Sequence, residues 1–230
     1  MKALIARYPS LRRIWSRLLW WRFRLFQRHR YDRLVLERID ERPFVILPQV
    51  FNPAVFDAST FLARALNSTL ITPETGVLDL GTGSGIGAVF AAQHARCVTA
   101  IDINPEAVRC AHINVLLNHV ADRVEVLEGD LFAPIGDRCF DVIVFNPPFF
   151  RGQPHDNLDR AWRSPDVIER FAAGLRDHLS PSGYALVVYS SSADEEGLRR
   201  AFESNGLTYS VFARRDVINE VLTIFQVRAA

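Results

Sequence analysis

Three glycines at alternate positions, Gly81, Gly83 and Gly85, follow the apolar run Val77-Leu78-Asp79-Leu80. Glycine lets a backbone turn sharply and approach a ligand closely. A strand running into Gly81-Thr82-Gly83-Ser84-Gly85 is therefore suited to cradle a nucleotide-like molecule. Asp79 stands two residues before the turn, where an acid can help hold an ammonium group. Asp102 closes the next apolar run, about 20 residues on, where a carboxylate can accept both hydroxyls of a ribose. Further along, Asn146-Pro147-Pro148-Phe149 follows the run Phe140–Phe145 directly. Two prolines stiffen that backbone. The tetrapeptide is suited to grip a planar nitrogen with an aromatic ring beside it.

Each residue also has a plainer use. Asp102 or Asn104 can cap the helix that starts near Pro105. Asp130 can be a turn residue, and Phe149 can sit in the core. Nicotinamide and flavin enzymes use a similar glycine turn. Here the pattern is G-x-G-x-G, and Ile86 occupies the place of the third dinucleotide glycine.

The elements that must position these residues alternate along the chain. Strands are expected at 76–80, 97–102, 123–127, 140–145, 183–190, 207–213 and 219–227. Helices are expected at 54–66, 86–95, 105–118, 166–179 and 193–204, with an extended segment at 43–50. In the first helix Phe56, Phe61, Leu62 and Leu66 face inward. Apolar strands in strand–helix alternation predict a doubly wound α/β sheet with right-handed crossovers. Strand carboxyl ends line the crevice of such a sheet, so the glycine turn and the Asn146 tetrapeptide should face one another. The polar loop Arg151–Asp166, with His155, Arg160, Trp162 and Arg163, would border that crevice. It suits a specificity element or a surface loop with Trp162 tucked down.

Composition adds an asymmetry. Residues 1–31 carry nine basic side chains and no acid, while the rest holds 18 basic and 26 acidic ones. Leu11, Ile14, Leu18, Trp21 and Leu25 recur at helical spacing. Residues 1–40 thus read as a basic, aromatic-rich amphipathic helical arm, and 41–230 as the body. The arm suits packing on the body, RNA, a membrane surface or organelle targeting. Cys97, Cys110 and Cys139 are odd in number and lack C-x-x-C spacing, which argues against a disulfide framework or a zinc site. No run is long and apolar enough to span a bilayer, so a reducing cytoplasm is expected.

Over residues 45–190 the two motifs together resemble the class I S-adenosylmethionine-dependent methyltransferases of the N-methylating branch. Gly129-Asp130-Leu131-Phe132 and Val144-Phe145-Asn146-Pro147-Pro148 are most similar to the release-factor glutamine methyltransferase and small-domain group. The resemblance implies a Rossmann-like seven-stranded sheet with a terminal antiparallel hairpin. It implies S-adenosyl-L-methionine as cofactor, held by Asp79, Gly81, Thr82, Gly83, Gly85, Asp102, Ile103, Asp130, Leu131 and Asn146. Asp130 would receive the adenine amino group. It assigns the catalytic grip to Asn146, Pro147, Pro148 and Phe149. The Asn146 side-chain oxygen and the Pro147 carbonyl would accept the substrate N–H bonds, with Phe149 stacked on the target. Val50-Phe51-Asn52-Pro53 with Thr60-Phe61-Leu62 loosely resembles the segment before the glycine loop, which makes Thr60 a cofactor candidate. Two features depart from the group: Phe149 stands where glutamine-modifying relatives usually carry Tyr, and the body is preceded by a short basic segment. The expected activity is N-methylation of a protein glutamine side chain, without metal. The alternatives are an exocyclic base nitrogen in RNA or DNA, a small molecule, or a non-catalytic cofactor-binding protein.

Overall fold

The computed structural model describes residues 32–217 and 220–230; the basic segment 1–31 lies outside them. β1 (Val35–Ile39) and β2 (Arg42–Ile46) form an antiparallel hairpin. Its turn, Asp40-Glu41, takes positive φ at both residues. Residues 35–39 are therefore strand, not the helical arm in which the sequence reading placed them, and a boundary at residue 40 would run through the hairpin. Buried Asn114 ties β2 down: its Oδ1 accepts Val45 N–H at 2.7 Å and its Nδ2 donates to Val45 O at 2.7 Å.

α1 (Asp57–Ala65) starts three residues later than periodicity suggests. Asn52 turns the chain ahead of it: its Oδ1 accepts Ala54 N–H at 2.9 Å and its carbonyl accepts Val55 N–H at 3.2 Å. Leu62 and Leu66 are buried, Phe56 and Phe61 only partly.

The chain then winds through β3 (Gly76–Leu80), α2 (Ile86–Ala91), β4 (Cys97–Asp102), α3 (Pro105–Leu117), β5 (Val124–Glu128) and β6 (Phe140–Phe145). α3 begins with Pro at its first position, where the missing N–H costs nothing. Asn104 caps it by accepting Glu106 N–H at 3.1 Å. After β6 come β7 (Phe150–Arg151), β8 (Arg163–Ser164), α4 (Val167–Leu175), β9 (Leu179–Ser190), α5 (Glu195–Ser204), β10 (Leu207–Asp216) and β11 (Val221–Ala229). The two-residue β7–β8 bridge was not expected from sequence; it joins the two ends of the loop that follows the tetrapeptide.

The main sheet runs β10-β11-β9-β6-β3-β4-β5. The five strands from β9 to β5 pair in parallel, and β11 is antiparallel to both β9 and β10. This is the expected Rossmann-like α/β sheet with its closing antiparallel hairpin. Alternation along each strand feeds two cores. Val77, Val142 and Val144 join α1, α2 and α3 on one face, while Leu78, Ile143 and Phe145 join α4 and α5 on the other. Phe171 and Phe202 are fully buried in the second core, each stabilising it by about 1.5–3 kcal/mol.

Candidate functional site

At the carboxyl ends of β3, β4 and β6 lies a cleft of about 360 Å³. Gly81, Thr82 and Gly83 form one wall, and Asp102, Ile103, Asp130 and Leu131 continue it. Asn146 and Pro148 stand on the other side. The strand order thus brings together motifs separated by some 60 positions of sequence.

The glycine turn is held from below. Gly85 has φ +81°, and a Cβ there would lie 3.1 Å from Ala111 Cα, so only glycine lets the turn press onto α3. Asp79 is buried beneath this turn. One carboxylate oxygen accepts Thr82 Oγ1–H at 2.7 Å and Ala88 N–H at 2.8 Å. Burial is the main cause of its raised pKa, about 6 against the ordinary 3.8; those two hydrogen bonds pull it back, and the Asp102 charge pushes it further up. Asp79 does not line the cleft, nor does Gly85. The geometry gives Asp79 the work of pinning the turn, in place of the ammonium contact suggested by its spacing.

Asp102 does reach the cleft. Its two oxygens accept Gly83 N–H at 2.8 Å and Asn104 N–H at 2.9 Å. Asn104 is the helix cap, so Asp102 is spared that task, and each of its oxygens has a lone pair beyond these bonds. Burial raises its pKa; backbone N–H bonds from Asn104, Gly83 and Ile103 oppose the rise. Asp130 lines the cleft but is not free: Arg170 Nη1 donates to it at 2.6 Å and reaches Asp166 through Nε at 3.1 Å. Leu131 follows with φ +50°.

Asn146 is set differently. Its Nδ2 donates to Ser59 Oγ on α1 at 2.8 Å, across 87 positions of sequence. Its Oδ1 is buried and has no hydrogen-bond partner. An unpaired buried acceptor costs about 1–3 kcal/mol unless something completes it. Ser59 lines the cleft beside it. Sequence reading missed Ser59 and favoured its neighbour Thr60. Thr60 instead is buried, gives its hydroxyl proton to Asp57 O at 3.0 Å, and faces a separate polar cavity with Asp40, Arg64 and Arg215. Helical spacing from the inward-facing Leu62 was the one available signal.

Phe149 and Pro147 do not line the cleft. Phe149 is partly buried and packs edge-on to Tyr189, ring centres 5.4 Å apart. The rim is aromatic elsewhere. Phe51 stacks on Phe56 at 5.1 Å, and Trp162 sets its edge against both, at 5.7 and 6.1 Å. The loop 151–166 therefore both borders the cleft and tucks Trp162 down. Asn104 Nδ2 donates to Gln49 O at 2.9 Å and fastens the facing segment. Among the described residues, no group of three or more His, Cys, Asp or Glu could hold a metal ion. Cys97 and Cys139 are exposed, and burial pushes the Cys110 thiol up to about 11.

This fold recurs in known proteins. The sequence profile of the methyltransferase small domain matches residues 41–212. The chain belongs to that family. It is 35% identical over 162 residues to the ribosomal protein uL3 glutamine methyltransferase of Bradyrhizobium diazoefficiens, covering 63% of this chain and 50% of that one. It is 41% identical over 123 residues to the tRNA1(Val) (adenine(37)-N6)-methyltransferase of Porphyromonas gingivalis, covering 48% of each. The chain thus spans about half the length of these curated relatives. The solved ribosomal protein L11 methylase of Lactobacillus delbrueckii subsp. bulgaricus shares the fold, with TM-score 0.60, 18% identity, and 83% of this chain matched to 97% of that one.

Proposed function

We propose that the protein transfers a methyl group from S-adenosylmethionine to a planar amide or amino nitrogen, first of all a protein glutamine side chain. The buried, unpartnered Asn146 Oδ1 carries this reading. It is an acceptor held in place and left unpaired, beside a glycine turn and a carboxylate that suit a nucleoside.

The residues present fit the cofactor. Gly81 and Gly83 bring backbone to the cleft wall, and a Cβ at Gly83 would come no nearer than 4.0 Å to Gly81 O. Asp102 would take the ribose hydroxyls. S-adenosylmethionine, when bound, supplies an electrophilic methyl on a sulfonium.

The chain's own contribution is positioning and charge. An amide nitrogen is a weak nucleophile because its lone pair is delocalised. Asn146 Oδ1 accepts one N–H of the acceptor, and the Pro147 carbonyl is the second acceptor this reading requires. Two such bonds strengthen as the nitrogen becomes positive, which favours the transition state over the ground state. Holding the nitrogen in line lowers the entropic part of the barrier. The glutamine choice follows the uL3 relative, whose match spans more of this chain than that of the tRNA relative.

The test is to incubate the full chain with radiolabelled S-adenosylmethionine and a methyl-poor cell extract. Protease-sensitive label is the expected outcome. RNase-sensitive label would replace glutamine with a base nitrogen, and no label in either fraction would overturn macromolecular N-methylation.

A further inference from the structure

S-adenosylmethionine differs from a plain nucleoside in its amino-acid tail, which ends in a carboxylate. Such a group is held best by a cation that also donates hydrogen bonds. Three arginines line the cleft: Arg160, Arg163 and Arg170. Two of them are engaged. Arg170 donates to Asp130 at 2.6 Å and to Asp166 at 3.1 Å. Arg163 Nε reaches Asp159 at 2.8 Å. Arg160 is exposed, and among the described residues its guanidinium has no ion pair and no hydrogen-bond partner.

The stem that presents Arg160 is well tied. Its N–H donates to Asp156 O at 3.3 Å, within a 3₁₀ turn over Asp159–Ala161. Asp156 Oδ1 accepts Asp159 N–H at 2.7 Å, and Asp159 Oδ2 accepts His155 N–H at 3.0 Å. The β7–β8 bridge closes the loop behind this turn.

Position along the cleft favours the same arginine. Arg170 is fastened to Asp130, at the end assigned to the adenine. Arg160 belongs to the loop that follows the Asn146 tetrapeptide. Trp162, two residues on, packs on Phe51, which lines the cleft. The methyl and the tail are bonded to one sulfur, so a methyl directed at Asn146 brings the tail to that end as well.

We propose that the Arg160 guanidinium binds the α-carboxylate of S-adenosylmethionine. This rests on the cofactor reading above. The planar fork of arginine can meet both carboxylate oxygens at once.

The experiment measures binding by calorimetry to the full chain, as wild type, Arg160→Gln and Arg160→Lys. The ligands are S-adenosylmethionine and its decarboxylated form, which keeps the nucleoside, the sulfonium and the amine. Arg160→Gln should weaken S-adenosylmethionine binding by about tenfold or more. It should weaken the decarboxylated form by less than about twofold, because no contact is lost there. Arg160→Lys, which keeps the charge without the fork, should fall between. Melting temperatures without ligand should match, since Arg160 has no partner to lose among the described residues. Unchanged S-adenosylmethionine affinity in Arg160→Gln overturns the proposal. So does an equal loss for both ligands, or a lowered melting temperature, either of which would give Arg160 a structural task. A KM for a glutamine peptide that rises while cofactor affinity holds would assign Arg160 to the acceptor and overturn it too. Wild type that binds neither ligand overturns the cofactor reading itself, and this assignment with it.

Discussion

The two sides of the cleft are built on opposite plans. On the glycine side the three carboxylates are paired within the protein, although Ser84 Oγ in the turn is, like Asn146 Oδ1, buried without a partner. Asp79 is occupied by Thr82 and Ala88, Asp102 by Gly83 and Asn104, and Asp130 by Arg170. Most of these bonds join residues less than 20 apart, and they shape a rigid turn before any ligand arrives. On the acceptor side Asn146 is fastened through one atom to a distant helix and left incomplete at the other. A wall whose carboxylates are already paired binds by shape and spare lone pairs. An unsatisfied acceptor is a local cost that a substrate N–H can remove, so it is suited to grip the group that reacts. The comparison assigns affinity for the nucleoside to one side and transfer to the other.

Asn146→Ala is the most direct way to break that division. Removing Oδ1 should lower kcat by on the order of a hundred- to a thousandfold, with S-adenosylmethionine affinity within a few-fold by calorimetry. The protein should not lose stability on account of Oδ1, because that atom has no partner to lose. Near-normal turnover would show that the acceptor side does not hold the reacting nitrogen.

The glycine side makes a prediction about pH. Asp79 is buried, and its pKa is raised from 3.8 to about 6. A carboxyl whose folded pKa exceeds its unfolded value favours folding most when protonated. Its contribution is fully present below about pH 3.8 and is lost as pH rises through about 6. The shift corresponds to about 3 kcal/mol. Asp79→Asn keeps an acceptor for Thr82 and Ala88 but cannot ionise. Urea unfolding of both proteins from pH 4 to 7 should show wild type losing stability relative to the variant over that window. Parallel curves would mean that Asp79 is not the buried acid that pins the turn.

The two sides also differed in how far sequence disclosed them. Gly81, Gly83, Gly85 and Asp102 could be placed because their spacing is local and strand order carries them to one edge. Asn146 could be placed for the same reason, at the end of β6. Ser59 could not, because its spacing from Leu62 is the sole mark within α1 and its partner lies 87 positions away. Asp79 was located at the turn, but spacing shows only that an acid is near and not which way burial points it, here onto Thr82 and Ala88. Phe149 shows the same ambiguity: an aromatic after two prolines can face the cleft or the core, and spacing says nothing of its edge contact with Tyr189. The β1 strand was masked by the arm's basic run, which ends only at residue 31 while pairing begins at 35.

Gly85→Ala sharpens the comparison from the steric side. At φ +81° and 3.1 Å from Ala111 Cα, an added methyl is both strained and crowded. A loss of about 1–3 kcal/mol in unfolding free energy is expected, with cofactor affinity falling because the turn moves. The Asn146–Ser59 bond should persist, visible as an unchanged Asn146 NH₂ exchange rate. A concerted loss of both would mean that the two sides are one cooperative unit.

Asp102→Ala tests the smallest and most specific element of the division. The substitution removes two acceptors of backbone N–H groups as well as the lone pairs proposed for the ribose. Affinity for S-adenosylmethionine should weaken by more than about tenfold, ~1.4 kcal/mol or more. Asp102→Asn separates the two roles. It keeps one acceptor for Gly83 or Asn104 but loses the charge that strengthens bonds to ribose hydroxyls. Its melting temperature should therefore lie close to wild type while its Kd moves most of the way toward that of the alanine variant. For both variants kcat at saturating cofactor should stay within a few-fold, because the acceptor side is untouched. If calorimetry gives wild-type affinity for Asp102→Ala, the ribose is not held by this carboxylate. If kcat at saturation collapses instead, the glycine wall takes part in transfer, and affinity and chemistry are not divided between the two sides of the cleft.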